Sequence, residues 1–137
     1  MSGRTRAAAA VLAALLPAAC AAPLAPHCPA GTQDMAASTL YFGMRTPSSV
    51  VSAAARQRFV DEIVTPRFEA GLTHWPASGQ WKSADGEILR EPSRVLQLLH
   101  PGDRASRDAI DRIVEEYKRR FEQESVLVTG QRVCASF

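Results

Sequence analysis

Outside the N-terminus, the densest branched and apolar stretch is Ser93-Arg94-Val95-Leu96-Gln97-Leu98-Leu99-His100, closed by Pro101-Gly102. Its length and its flanking breaker residues predict a strand buried on both faces. Leu40, Phe42 and Met44 alternate with Thr39, Tyr41 and Gly43, which predicts a second strand with one buried face. After the turn Thr46-Pro47-Ser48-Ser49, Ser52 reads as the N-cap of a helix from Ala53 to Val64. Its stripe is Phe59, Val60, Ile63 and Val64, and Thr65-Pro66 ends it, because a residue before proline avoids the helical region. A second helix follows Pro101-Gly102-Asp103, capped by Asp103 or Ser106. Ile110, Ile113, Val114, Tyr117 and Phe121 lie along one side, with Asp108, Glu115, Lys118 and Arg119 opposite.

Three weaker segments complete the chain. Leu72 to Ser83 carries Trp75 and Trp81 but is broken by Pro76 and Gly79, which predicts an edge strand with a bulge. Ala84-Asp85-Gly86 is a hairpin turn that returns through Glu87-Ile88-Leu89-Arg90, with a kink expected at Pro92. In Ser125 to Phe137, Val126 and Val128 are out of phase with Val133, Ala135 and Phe137, so a bulge or tight turn is expected at Gly130.

The order is strand, helix, strand, strand, helix, strand. That predicts an α+β, ferredoxin-like βαββαβ fold: a four-stranded antiparallel sheet with two helices on one face and the first and third strands central. If the helices cover Leu40, Phe42, Leu96 and Leu98, then Tyr41, Val95, Gln97 and Leu99 point away from them. A half-apolar open face calls for a cover. Three are available: the preceding arm, then a second subunit, then a ligand in a pocket with Tyr41, Trp81 and Gln97 as contacts.

The N-terminus adds a compartment. Arg4 and Arg6 precede an apolar run from Ala7 to Leu16 and then small residues, so residues 1–20 read as a secretory signal. Residues 21–37 form a Pro/Ala-rich arm or tether, and 38–137 a single domain. Leu16-Pro17-Ala18-Ala19-Cys20 resembles a lipobox with its leucine one place early, which would lipidate Cys20 and tether the domain to a membrane. Ala19-Cys20-Ala21 is instead an A-x-A site for ordinary cleavage, and both readings stay open. Either way the mature domain keeps Cys28 and Cys134, a natural disulfide pair in the periplasm or at the envelope. A formal net charge of +2, from 16 basic and 14 acidic residues without a basic stripe, leaves nucleic acid without a footprint.

Several short stretches together resemble the bacterial domain-of-unknown-function 3574 family. They are Leu40-Tyr41-Phe42-Gly43, Asp61-Glu62-Ile63-Val64-Thr65-Pro66-Arg67-Phe68, Gly71-Leu72-Thr73 and Gly79-Gln80-Trp81. Further on come Ser93-Arg94-Val95-Leu96, Gln123-Glu124-Ser125-Val126-Leu127 and Val133-Cys134-Ala135-Ser136-Phe137. The resemblance spans Leu40 to Phe137. It implies an exported protein or lipoprotein, and it attaches no activity and no catalytic residue.

The chemistry-bearing residues are few. His27, His74 and His100 hold no metal-ligand spacing, and no phosphate loop or nucleophile elbow occurs, so neither a metal nor a cofactor is expected. His100 ends a central strand, where an imidazole bonded to a loop carbonyl is the plainer reading. Glu87, Arg90, Glu91 and Arg94 flank Pro92 and read first as an ion-paired hairpin, second as an acid/base or anion site. The candidate ligand contacts are Tyr41, Trp81, Gln97, Arg94 and His100. The expected function is an exported, lipid-anchored binding or structural module without catalysis, able to form a homodimer through the open face. The alternative is a small enzyme acting as a face-to-face α+β-barrel dimer on a small organic ligand.

Overall fold

The computed structural model describes residues 28–137; the signal and Cys20 lie outside the described residues. The elements are β1 (Gln33–Gly43), α1 (Ala53–Phe59), β2 (Thr73–Lys82), β3 (Ile88–His100), α2 (Arg104–Phe121) and β4 (Leu127–Ala135). The sheet runs β2-β3-β1-β4 with every neighbouring pair antiparallel, so β1 and β3 are central and the fold is ferredoxin-like.

Both helices cover one face. Leu40, Phe42, Leu96 and Leu98 are buried beneath them with Phe59, Ile113, Tyr117 and Phe121. Phe42 and Tyr117 stack with ring centroids 4.3 Å apart, and Phe59 meets Tyr117 edge-on at 5.2 Å. Each such side chain contributes about 1.5–3 kcal/mol by leaving water. Tyr117 spends its one polar atom well: its hydroxyl donates to the Gly43 carbonyl at 2.7 Å, tying α2 to the end of β1. Burial pushes that phenol's pKa far up, so it stays a neutral donor.

The helix ends follow their caps. Ser52 accepts from the Ala55 amide and Asp103 from the Ser106 amide, which settles the second cap on Asp103. The first helix does not run regularly to Val64. It stops at Phe59, opens into a π turn over Val60–Val64 and closes with a 3-10 turn over Thr65–Arg67. Pro66 has no amide to return to the preceding turn, and the wider turn accommodates this. As a result Phe59, Val64 and Phe68 enter the core, while Val60 and Ile63 are only partly buried.

Four expectations about the strands are corrected. β1 begins at Gln33, so the last five residues of the expected arm belong to the sheet, paired through Asp34↔Cys134 and Ala37↔Leu99. The β2–β3 register is unbroken from Thr73↔Gln97 to Lys82↔Ile88, with no bulge at Pro76 or Gly79. The same register carries β3 through Pro92 without a kink. Ser83 and Glu87 form a hydrogen-bonded pair, so alternation makes Pro76↔Arg94 and Ser78↔Pro92 non-bonded pairs. Pro76 therefore turns its missing donor to the free edge, and Pro92 meets β1 only where that strand ends. The β1–β4 register is also continuous through Gly130. The phase slip needs no repair, because β4 is an edge strand exposed along nearly its whole length.

Cys28 and Cys134 form a disulfide with Cα atoms 5.4 Å apart, closing a separation of 106 residues.

Candidate functional site

The side of the sheet away from the helices carries β1 residues 33, 35, 37, 39, 41 and 43 and their partners. Register sets one apolar row across all four strands, Trp75–Val95–Tyr41–Leu127. Beside it runs an uncharged hydrogen-bonding row, Thr73–Gln97–Thr39–Thr129. Val95 is buried by its neighbours, whereas Tyr41 keeps 38%, Trp75 40% and Leu127 60% of its surface exposed. Among the paired residues that share this face, Glu91 is the only one with a formal charge. The remaining charges of the sheet point to the helix side.

Glu91 is already engaged. Its Oε1 accepts from the Trp81 indole at 3.0 Å and its Oε2 from the Arg45 amide at 2.9 Å. Gln123, arriving from the end of α2, donates from Nε2 to the Arg45 carbonyl at 2.6 Å. Both side chains lie over Gly43, where a Cβ would stand 2.8 Å from Gln123 Oε1 and 2.9 Å from Glu91 Oε1. Gly43 is thus the floor beneath a carboxylate and an amide oxygen at one rim of the open face.

The five candidate residues do not form one pocket. Tyr41, Trp81 and Gln97 share the open face, but Trp81 lies opposite Leu89 and Tyr41 opposite Val95. Six residues of strand, about 20 Å, separate those rows. The aromatic partner of Tyr41 is Trp75, which counting outward from the Ala84-Asp85-Gly86 turn would have placed opposite Val95. Arg94 and His100 lie on the helix side, and so does Arg90, so the expected cluster with Glu91 is split between two faces. Glu87 sits in the hairpin loop, where its amide donates to Ser83 Oγ.

His100 is buried within the helix-side layer. Its Nδ1 accepts from the Gly102 amide at 3.1 Å, and its Nε2 lies 2.9 Å from Ser38 Oγ. An occupied Nδ1 puts the proton on Nε2, which donates to Ser38, so this imidazole is not arranged to deprotonate that serine. The sequence reading expected a loop carbonyl as partner; the partner is a loop amide.

The described part of the arm leaves the open face bare. Cys134 pairs with Asp34 and so projects on the helix side of β4, and the disulfide starts the arm there, opposite Tyr41 and Trp75.

A sequence model for a family described as "Protein of unknown function (DUF3574)" matches residues 37–137. No curated protein matches the chain. Among solved structures, the chain is similar to a phage SAM lyase in complex with S-methyl-5'-thioadenosine. The TM-score is 0.57 at 13% identity, over 83% of this chain and 96% of that one. It is also similar to CutA from Synechococcus elongatus, with a TM-score of 0.50 at 10% identity, over 75% of this chain and 80% of that one. At these identities the likeness is one of fold.

Proposed function

We propose that this chain, which belongs to the DUF3574 family, is an exported, lipid-anchored binding module that works by pairing its open sheet face with that of a second copy. The observation that carries the proposal is the row Trp75–Val95–Tyr41–Leu127 on a face whose one charge, Glu91, is internally bonded. Depletion of charge together with enrichment in aromatic side chains is the compositional signature of an interface core.

Size is adequate as well. Four strands at about 4.8 Å spacing and eight residues at about 3.3 Å outline a face of roughly 500 Å². Two such faces reach on the order of 1,000 Å², where specific interfaces begin. A ligand pocket is the weaker occupant, because Tyr41 and Trp81 sit in distant rows. The arm is weaker too, because its disulfide starts it on the other side. Export is supported by the disulfide, which persists in an oxidising compartment. Lipidation rests on Cys20 alone.

The test is sedimentation of the full chain recovered from the envelope, beside Trp75→Glu and Cys20→Ser. A dimer that Trp75→Glu converts to a folded monomer supports the face. A monomeric parent protein overturns it. Loss of the membrane-bound fraction in Cys20→Ser supports the anchor, and an unchanged distribution removes it.

A further inference from the structure

The free side of β4 is an unguarded sheet edge. The Met44 amide donates to the Pro92 carbonyl at 3.0 Å, which continues the β1–β3 register. Even-numbered residues of β1 therefore bond β3, and odd-numbered ones bond β4. It follows that Val128, Gly130, Arg132 and Cys134 turn their amides and carbonyls outward, and all four residues are exposed. Among the described residues no strand pairs with them. The opposite edge is protected: Pro76 withholds a donor from it, and Lys82 adds a charge. β4 has no proline, and its one charged residue, Arg132, is ion-paired with Asp34 of β1 at 2.6 Å. An edge left in this state is a template for another strand. The preceding arm is a poor one, because Pro23 and Pro26 fall at odd and even positions and one of them withholds its donor from any ladder.

We infer that β4 pairs antiparallel with β4 of a second copy, about a two-fold axis at Gln131. This register sets Val128 opposite Cys134 and Gly130 opposite Arg132, each pair exchanging both backbone bonds, so that every outward group of the strand is used. Charge and space select it over its neighbours. An axis at Arg132 would set two guanidiniums against each other, and an axis at Gly130 would carry Cys134 past the end of the partner strand. At Gly130 a Cβ would meet nothing within 4 Å, which leaves room for the arginine stem of the second copy. The contact is one strand wide and roughly 20 Å long, well short of the area of a stable interface, so it forms where copies are concentrated. It uses the sheet edge and not the open face, and it stands whether or not the faces pair; where both contacts form, face dimers join into tetramers or chains.

The test is disulfide trapping in the concentrated full chain carrying Gln131→Cys, with and without Trp75→Glu, which removes any pairing of the faces. Gln131 meets its own copy as a non-bonded pair, the closer kind, within reach of a disulfide. Oxidation should give a cross-linked dimer on non-reducing electrophoresis in both backgrounds, and the parent chain should give none. Thr129→Cys should also give none, since Thr129 faces Val133 of the second copy and lies about 13 Å along the strand from its own counterpart. Adding Gly130→Pro removes an outward donor without touching the β1 ladder and should abolish the cross-link, with circular dichroism verifying the fold. Val128→Pro serves the same purpose if Gly130→Pro does not fold. Absence of the cross-link, equal cross-linking through Thr129→Cys, or an undiminished yield in a folded proline variant would each overturn the pairing. A cross-link that Trp75→Glu abolishes would belong to the open face, and it would overturn the edge contact while leaving the face reading intact.

Discussion

Ser38 and His100, 62 residues apart in sequence, meet inside the helix-side layer at 2.9 Å, and the Gly102 amide fixes which ring nitrogen carries the proton. Burial lowers the pKa of His100 below the ordinary 6.5; Asp103 opposes this, while Arg132 and Arg107 reinforce it. The unfolded chain therefore takes up the proton first as pH falls. The contribution of the neutral ring is complete above pH 6.5 and declines below it, through the lowered folded-state value. Urea unfolding at pH 7.5 and pH 5.5 should show that loss. In His100→Gln the protein should be less stable at pH 7.5, with this part of the pH dependence gone. An equal slope in both proteins would exclude His100 as its source.

The disulfide should matter more than any single hydrogen bond. Joining Cys28 to Cys134 restricts an unfolded loop spanning nearly the entire domain. The chain-entropy relation gives about 4 to 5 kcal/mol for a loop of this length. The double substitution of Cys28 and Cys134 to Ser should lower the denaturation midpoint by that equivalent. Native protein should show no labelling of either thiol; quantitative labelling without denaturant would mean the staple does not form.

Tyr117 joins two layers through one oxygen. Tyr117→Phe keeps the ring against Phe42 and Phe59 but removes the donor to the Gly43 carbonyl. A loss of about 1 kcal/mol in unfolding free energy is expected. Tyr117→Ala also removes the ring and should cost about 3–5 kcal/mol. Near-identical losses in the two variants would show that the hydroxyl, and not the packing, dominates.

Much of the fold was legible because its signals are local and periodic. The stripe Ile110, Ile113, Tyr117 and Phe121 is buried as predicted, and Ser52 caps α1 as read. The central placement of β1 and β3 follows from element order. What sequence pattern missed depends on pairing. Pro76 and Gly79 suggest a bulge only until the register shows that Pro76 occupies a non-bonded position on an edge. Gly130 suggests another, until β4 proves exposed and free of any demand for strict alternation. The open face was half legible: Tyr41 and Gln97 were placed on it, but the row containing Trp75 and Leu127 exists only once three registers are known. The hold of Glu91 on Trp81 and the Arg45 amide leaves no local trace at all.

Two glycines outside the left-handed region, Gly43 and Gly130, make the sharpest contrast. A methyl group on Gly43 would meet Gln123 Oε1 at 2.8 Å and Glu91 Oε1 at 2.9 Å, whereas one on Gly130 would meet nothing within 4 Å. Gly43→Ala must displace two side chains that are themselves hydrogen-bonded, through Trp81, the Arg45 amide and the Arg45 carbonyl. The expected cost is about 1–3 kcal/mol, as for other overpacked sites. Gly130→Ala should be neutral or stabilise by up to about 1 kcal/mol, since it only narrows the unfolded ensemble. Gly43→Ala should also alter Trp81 fluorescence, because the indole loses its fixed carboxylate, and Gly130→Ala should not. If the two variants unfold at the same denaturant concentration and share one emission spectrum, then Glu91 and Gln123 yield freely, and the rim of the open face is a mobile surface, not a built one.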